Sequence, residues 1–199
     1  MDLFEDDTKA NILPYDGEAQ YFGLIFDERQ SAVLTEGLLK QVAWEHDETH
    51  MFGKRIVTAR KVAWFADGGI TYAYSGSVKN PQEWTDGILI IKKQAEALTG
   101  EIYNSCLLNL YHNGGEGMGW HSDDEKCIEV GSSIASVSFG AERKFSFKHK
   151  RTKETAHIVL ENGSLLEMRK ETQRYWIHQL PKTKRVDQLR INLTFRKIV

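Results

Sequence analysis

Beyond Gly100 the chain breaks into short runs of β-branched, aromatic and alternating residues separated by Gly, Asn and Asp, and this punctuation constrains the fold most. The spacing predicts strands over Ser105–Tyr111, Ser132–Phe139, Lys144–Lys148, His157–Leu160, Ser164–Met168, Tyr175–Leu180 and Gln188–Lys197. Short strands in this rhythm suggest a sandwich, jelly roll or barrel. Residues 1–100 read instead as mixed α and β. A helix is expected over 28–44, with Val33 or Leu34, Leu38 and Val42 at helical spacing. A second is expected from an Asn80 N-cap and Pro81 to Gly100, with Trp84, Ile88, Ile91, Ala95 and Leu98 on one stripe. Both stripes are read as faces that pack on a sheet.

With 199 residues, 41% of them apolar and 27% charged, and only three prolines, the chain suits one domain and excludes a disordered or low-complexity array. No Pro/Gly/Ser linker divides it. The best apolar run, Gly87–Ile91, stops at Lys92-Lys93, far short of the ~20 residues of a membrane helix. The start, Met1-Asp-Leu-Phe-Glu-Asp-Asp7, is acidic where a secretory signal would be basic and then apolar. Cys106 and Cys127 have no CxxC or zinc-finger spacing, so a reducing compartment is expected: a bacterial cytoplasm by preference, a nucleus if the source is eukaryotic.

The net charge of −2 hides an asymmetry. Residues 141–199 carry 15 Lys and Arg against six Asp and Glu; with chain totals of 26 and 28, residues 1–140 carry 11 against 22. A polyanion would be drawn to the second part and repelled by much of the first.

Three sets of residues could carry chemistry. In Trp120-His-Ser-Asp-Asp-Glu125, His121 and Asp123 stand two apart, so an extended backbone points both to one side. His178, in a later strand, is the natural third donor, and two imidazoles with one carboxylate match the facial triad of non-haem Fe(II) oxygenases. His112 and His149 flank turns, and His46 and His157 lack a nearby acid. The competing reading of His178 is a buried histidine beside Trp176. The second set is Arg190-Ile-Asn-Leu-Thr-Phe-Arg196, whose alternation puts Arg190, Asn192, Thr194 and Arg196 on one face. That face is either a solvated basic edge or a wall for the two carboxylates of 2-oxoglutarate, with Asn109 and Tyr111 completing the pocket. The third set interleaves aromatics and cations: Phe52-Gly53-Lys54, Arg60-Lys61 and Tyr72-Ala73-Tyr74, suited to stacking on bases or to an ordinary hairpin. Gly114-Gly-Glu-Gly117 lacks the GK[ST] that a phosphate loop needs.

Assembled, these residues resemble the AlkB family of Fe(II)/2-oxoglutarate-dependent dioxygenases. The motifs are Asn109-Leu-Tyr111, His121-Ser-Asp-Asp-Glu125, Ile134–Gly140, Gly163–Leu166, His178 and Arg190–Lys197. Phe52-Gly-Lys54, Ala59-Arg-Lys61 and Gly69–Gly76 are most similar to the subgroup of human AlkB homologue 2, a group of DNA repair demethylases. The resemblance covers roughly residues 50–199 and implies a mainly β fold with flanking helices, within the single domain, 1–199, that the length suggests. Residues 101–199 would form a double-stranded β-helix, or jelly roll, as the catalytic core. Residues 1–100 would supply an N-terminal extension, supporting helices and a nucleotide-recognition lid. It implies Fe(II) on His121, Asp123 and His178, with 2-oxoglutarate as co-substrate held by Asn109, Tyr111, Arg190, Asn192, Thr194 and Arg196, and O2 as oxidant. Phe52 would replace a flipped base, completed by Gly53 and Lys54. Tyr72, Ala73, Tyr74, Asp124 and Glu125 would line the base pocket, and Arg60 would contact the strand. The implied activity is oxidative demethylation of 1-methyladenine and 3-methylcytosine in double- or single-stranded DNA by a monomer without membrane attachment. The same chemistry on methylated RNA or protein, and a silent jelly-roll binding module, are the alternatives.

Overall fold

The computed structural model describes residues 10–51, 54–68, 70, 72–74, 77–79, 81–169 and 171–199. For residues 47–51, 54–56, 72–74 and 77–79 it describes the backbone alone. The order is β1 (Glu18–Leu24), α1 (Glu28–Gln41), β2 (Glu45–Met51), β3 (Lys54–Ala66), β4 (Tyr72–Tyr74), β5 (Ser77–Lys79), α2 (Asp86–Thr99), β6 (Ser105–Tyr111), β7 (Met118–His121), β8 (Ile134–Gly140), β9 (Arg143–His149), β10 (Thr155–Leu160), β11 (Ser164–Arg169), α3 (Thr172–Tyr175), β12 (Trp176–Leu180) and β13 (Arg190–Arg196). A seven-stranded sheet runs β1-β11-β8-β13-β6-β3-β2, a four-stranded sheet runs β10-β9-β12-β7, and β4 pairs with β5.

Three layers follow from the alternation of side chains along the larger sheet. Ile191, Leu193 and Phe195 of β13 join Val137, Phe139, Cys106, Leu108 and Leu165 in one core with Leu38 of α1 and Ile88, Ile91 and Ala95 of α2. The opposite face meets the four-stranded sheet through Tyr111, Ile134, Leu166 and Met168 against Phe145, Phe147, Trp176 and Leu180. The mainly β jelly-roll expectation is met, and all seven strands expected after Gly100 are present within a few residues. Strand β7 is additional, hidden in a glycine-rich run.

Local chemistry sets the helix limits. Asp27 accepts from Gln30 N while the Gln30 side chain accepts from Asp27 N, a capping box that starts α1. Leu34 rather than Val33 turns inward: Leu34 packs on the core, whereas Val33 is 65% exposed. Helix α2 starts later than the sequence suggests. Gln82 N donates to Trp64 O at 2.8 Å, which keeps the segment after Pro81 extended against β3, and Thr85 caps the helix. Asn80, expected as the cap, lies outside the described residues. Gly100, at φ 74°, closes the helix as expected. Tyr175 ends α3 instead of opening β12. None of the described helices is long and apolar enough to cross a membrane.

Gly163 fixes how the α1 end of the helical layer meets the sheet. Its N–H donates to Ser138 O and its carbonyl accepts from Ile25 N. A Cβ there would stand 2.5 Å from both Phe26 O and Ser31 Oγ, at a φ of +80°. Gly163→Ala is therefore expected to cost about 1–3 kcal/mol, read as a lower urea midpoint at unchanged slope.

Candidate active site

Between the two sheets lies a cavity of about 250 Å³, and the polar face of β13 is its floor. Strand β13 sits inside the larger sheet, paired with β6 on one side and β8 on the other. The basic-edge reading of this strand is thereby replaced: Arg190, Asn192, Thr194 and Arg196 face the cavity. Register brings Asn109 opposite Asn192 and Tyr111 opposite Arg190, so all six residues expected around 2-oxoglutarate share the lining.

At one end of this cavity His121, Asp123 and His178 present donor atoms all within 4.8 Å of one another. The pairing of β12 with β7 sets His178 opposite His121, with their Nε2 atoms 3.1 Å apart. His121 Nδ1 lies 2.8 Å from Gly119 O; donating there assigns the proton to Nδ1 and leaves the Nε2 lone pair facing inward. Asp123 Oδ1 is 3.7 Å from His121 Nε2. Neighbouring ligands on an octahedral ion with ~2.1 Å bonds stand ~3 Å apart, so the donor set fits a divalent metal.

Charge at this end is tuned in the same direction. Burial pushes the Asp123 carboxyl up, but the Arg196 guanidinium foremost, with His178 and His121, overrides this and holds its pKa down to about 2. Burial lowers His178 to about 4, against the pull of Asp123, so at neutral pH its imidazole is uncharged and able to ligate. Arg196 Nη2 bonds Asp123 Oδ2 at 2.9 Å. Expected at the far carboxylate of 2-oxoglutarate, Arg196 thus also engages the carboxylate of the triad.

Arg190 has the character of an anion seat. It is 2% exposed, Nη2 donates to Ser138 Oγ at 2.9 Å, and its guanidinium lies over the Tyr111 ring at 5.6 Å. Its buried Nε has no hydrogen-bond partner, nor does Asn109 Oδ1, and no carboxylate pairs with it among the described residues. Burial lowers its pKa to about 10, which still leaves it charged at neutral pH. A buried cation with an unused donor is costly without an anion and fits one end of a dicarboxylate.

The substrate-side expectations divide. Glu125 lines the cavity. Asp124, expected beside it, is 63% exposed and lies 3.7 Å from Lys150, because the chain leaves β7 in an extended segment that turns alternate side chains outward. Arg60, expected to contact the strand, is buried, with Nη1 3.2 Å from Met118 Sδ on the cavity wall. Phe52 and Gly53 lie outside the described residues, as do the side chains of Lys54, Tyr72, Ala73 and Tyr74; their backbones place Lys54 at the start of β3 and the other three in β4.

Sequence reasoning missed Ser136, Ser138 and Gln173. The serines' signal was the same period-two pattern in β8, whereas Gln173 reaches the site from a single helical turn that no periodicity marks. The glycines before β7 serve packing: a Cβ on Gly114 would strike Thr183 O, and one on Gly117 Leu180 O. The basic surplus is partly internal. Arg143, Arg190 and Arg196 are buried, and Arg169, Arg174 and Lys197 pair with acids. Because His121 is the least buried of the three candidate donors, His121→Ala is expected to abolish Fe(II) or Co(II) binding while the far-ultraviolet circular dichroism stays unchanged; retained binding contradicts the assignment.

The 2OG-Fe(II) oxygenase superfamily model matches residues 18–196. The chain is 41% identical over 160 residues to the mouse DNA oxidative demethylase ALKBH2, covering 76% of this chain and 67% of that protein. The human ALKBH2 is 36% identical over 189 residues, covering 89% and 72%. The bovine alpha-ketoglutarate-dependent dioxygenase alkB homolog 3 is 35% identical over 182 residues, covering 86% and 63%. The solved structure of OsALKBH1 superposes with a TM-score of 0.63 at 14% identity, covering 93% of this chain and 98% of that one, and so shares the fold. Donor triad, cavity and comparisons agree: the chain belongs to the 2OG-Fe(II) oxygenase superfamily and, within it, to the AlkB family, enzymes that use Fe(II), 2-oxoglutarate and O2.

Proposed function

We propose that this enzyme demethylates N-alkylated bases, 1-methyladenine and 3-methylcytosine, in DNA. The observation that carries the reading is the joining of the His121–Asp123–His178 triad and the Arg190 seat in one cavity, in a chain similar to DNA oxidative demethylases. His121, Asp123 and His178 would hold the iron. Bound there, Fe(II) with O2 and 2-oxoglutarate supplies oxidation of the N-methyl carbon, with succinate, CO2 and formaldehyde as products.

The chain's own residues do the rest. Arg190 takes one carboxylate of 2-oxoglutarate through its unused donor, with Asn109, Tyr111, Asn192 and Thr194 around the remainder of the molecule. Arg196 keeps the Asp123 carboxyl ionised. Phe145, Met168, Leu107 and Leu180 give the same space its apolar walls. The target base must leave the stack, at a cost of a few kcal/mol that is smallest for a damaged base. Phe52 would fill the gap it leaves, completed by Gly53 and Lys54, Tyr72, Ala73 and Tyr74 would line the pocket that receives it, and Arg60 supports the wall beside Met118. Glu125 on the cavity wall favours a base that methylation has made cationic over its neutral parent. The damaged strand would run along Lys144, the β9–β10 turn with Arg151 and Lys153, and Lys182, Lys184 and Arg185 after β12, all exposed. A monomer in a cytoplasm or nucleus completes the proposal.

Reconstituted anaerobically with Fe(II) and then given O2, 2-oxoglutarate and a 1-methyladenine oligonucleotide, the enzyme should yield repaired base and succinate in step; no turnover on any DNA form refutes the reading. Turnover confined to methylated RNA would move the substrate and keep the chemistry. Arg190→Met should raise the KM for 2-oxoglutarate at least about tenfold, with a smaller change in DNA affinity, since a charge-assisted pair contributes about 1.5–3 kcal/mol. DNA affinity should fall linearly in log–log form as salt rises.

A further inference from the structure

Two of the three candidate ligands are held by a ladder and the third is not. His121 and His178 face each other across the β7–β12 pairing. Asp123 follows β7 in the segment 122–125, which belongs to no strand or helix. Its N–H is taken by a side chain: it donates to Gln173 Oε1 at 2.9 Å. The other end of that amide, Nε2, points to Met168 Sδ at 3.4 Å, which fixes the amide with its oxygen toward Asp123. The Gln173 main-chain carbonyl accepts from Lys150 Nζ at 2.8 Å, and the same ammonium reaches Ser122 Oγ at 3.1 Å. Lys150 N–H donates to Tyr175 O at 2.7 Å. Helix α3 is itself pinned through the Thr172 hydroxyl, which donates to Arg169 O at 2.6 Å and accepts from Glu18 N at 2.8 Å.

These contacts bracket residues 122 and 123 from both sides. Arg196 draws one carboxylate oxygen of Asp123 toward β13. Unopposed, that pull would let the carboxyl swing away from the histidines, because nothing in a ladder resists it. Gln173 fixes the other end of the same residue, and two fixed ends define one orientation.

We propose that Gln173 is a positioning residue for the metal, doing for Asp123 what the strand ladder does for the two histidines, with Lys150 as its anchor. The inference rests on His121, Asp123 and His178 being the metal ligands. It is tested on the full chain by titration with Co(II), followed through the visible absorption of the bound ion, beside thermal unfolding. Gln173→Leu is expected to weaken Co(II) binding about 10–100-fold and alter the band intensity, whereas Gln173→Glu, which keeps an acceptor at the same reach, stays within about threefold of wild type. Lys150→Met, which removes the anchor and leaves the amide, should lose several-fold. Wild-type affinity and spectrum in Gln173→Leu, or equal losses in the Leu and Glu variants, overturn the proposal. Should Gln173→Leu fail to fold, Lys150→Met decides, and wild-type binding there overturns it. His178→Ala is measured in parallel: if it still binds Co(II) like wild type, the ligand assignment fails rather than the positioning role.

Discussion

The polar chemistry of this enzyme hangs from β13, and β13 is fixed from both sides. Its pairing with β6 runs from Arg190–Tyr111 to Arg196–Ser105, and its pairing with β8 from Arg190–Gly140 to Phe195–Ala135. A strand held on one edge can slip by a residue, and a slip would turn every side chain to the other face. Here that slip would drive two guanidinium groups into the apolar layer under the helices. The period-two pattern of seven residues thus commits the sheet, the helical layer and the cavity together.

The same pattern makes the interior expensive. Burying a charge without a partner is among the most unfavourable acts in folding. Arg196 is offset by Asp123, but among the described residues Arg190 meets a serine hydroxyl and the face of a tyrosine and no carboxylate. The apolar floor beneath, from Ile191 to Phe195 against α2, supplies the stability that tolerates this arrangement. In the proposed function, pre-set charge in the cavity would let a dicarboxylate be recognised without reorganising the wall.

Most of the fold could be read from the chain because the controlling signals are local. The Gly, Asn and Asp punctuation placed the strands after Gly100, and the His-x-Asp spacing with a strand histidine placed the triad. What remained hidden depends on contacts distant in sequence. The start of α2 is decided by the hydrogen bond between Gln82 and Trp64, and strand β7 by glycines that look like a loop until the segment after β12 packs on them. Whether the polar face of β13 met water or a cavity turned on the presence of a second sheet, which alternation within one strand cannot reveal. Glu125 and Asp124 looked alike as neighbours, and only the path of the chain after His121 separated them.

One buried cation ties together the two strands that carry the histidines. Arg143 spends its guanidinium on main-chain oxygens: Glu116 at 3.0 Å and Pro181 at 2.7 Å, with Asn113 and Gly114 at 3.5 Å. Those carbonyls lie in two loops, one entering β7 and one leaving β12, so the strands that carry His121 and His178 are tied at the same end. Local opening in proteins proceeds by cooperative units rather than by single residues. The tie couples the two strands at that end, so a local opening of either loop is expected to displace both imidazoles together.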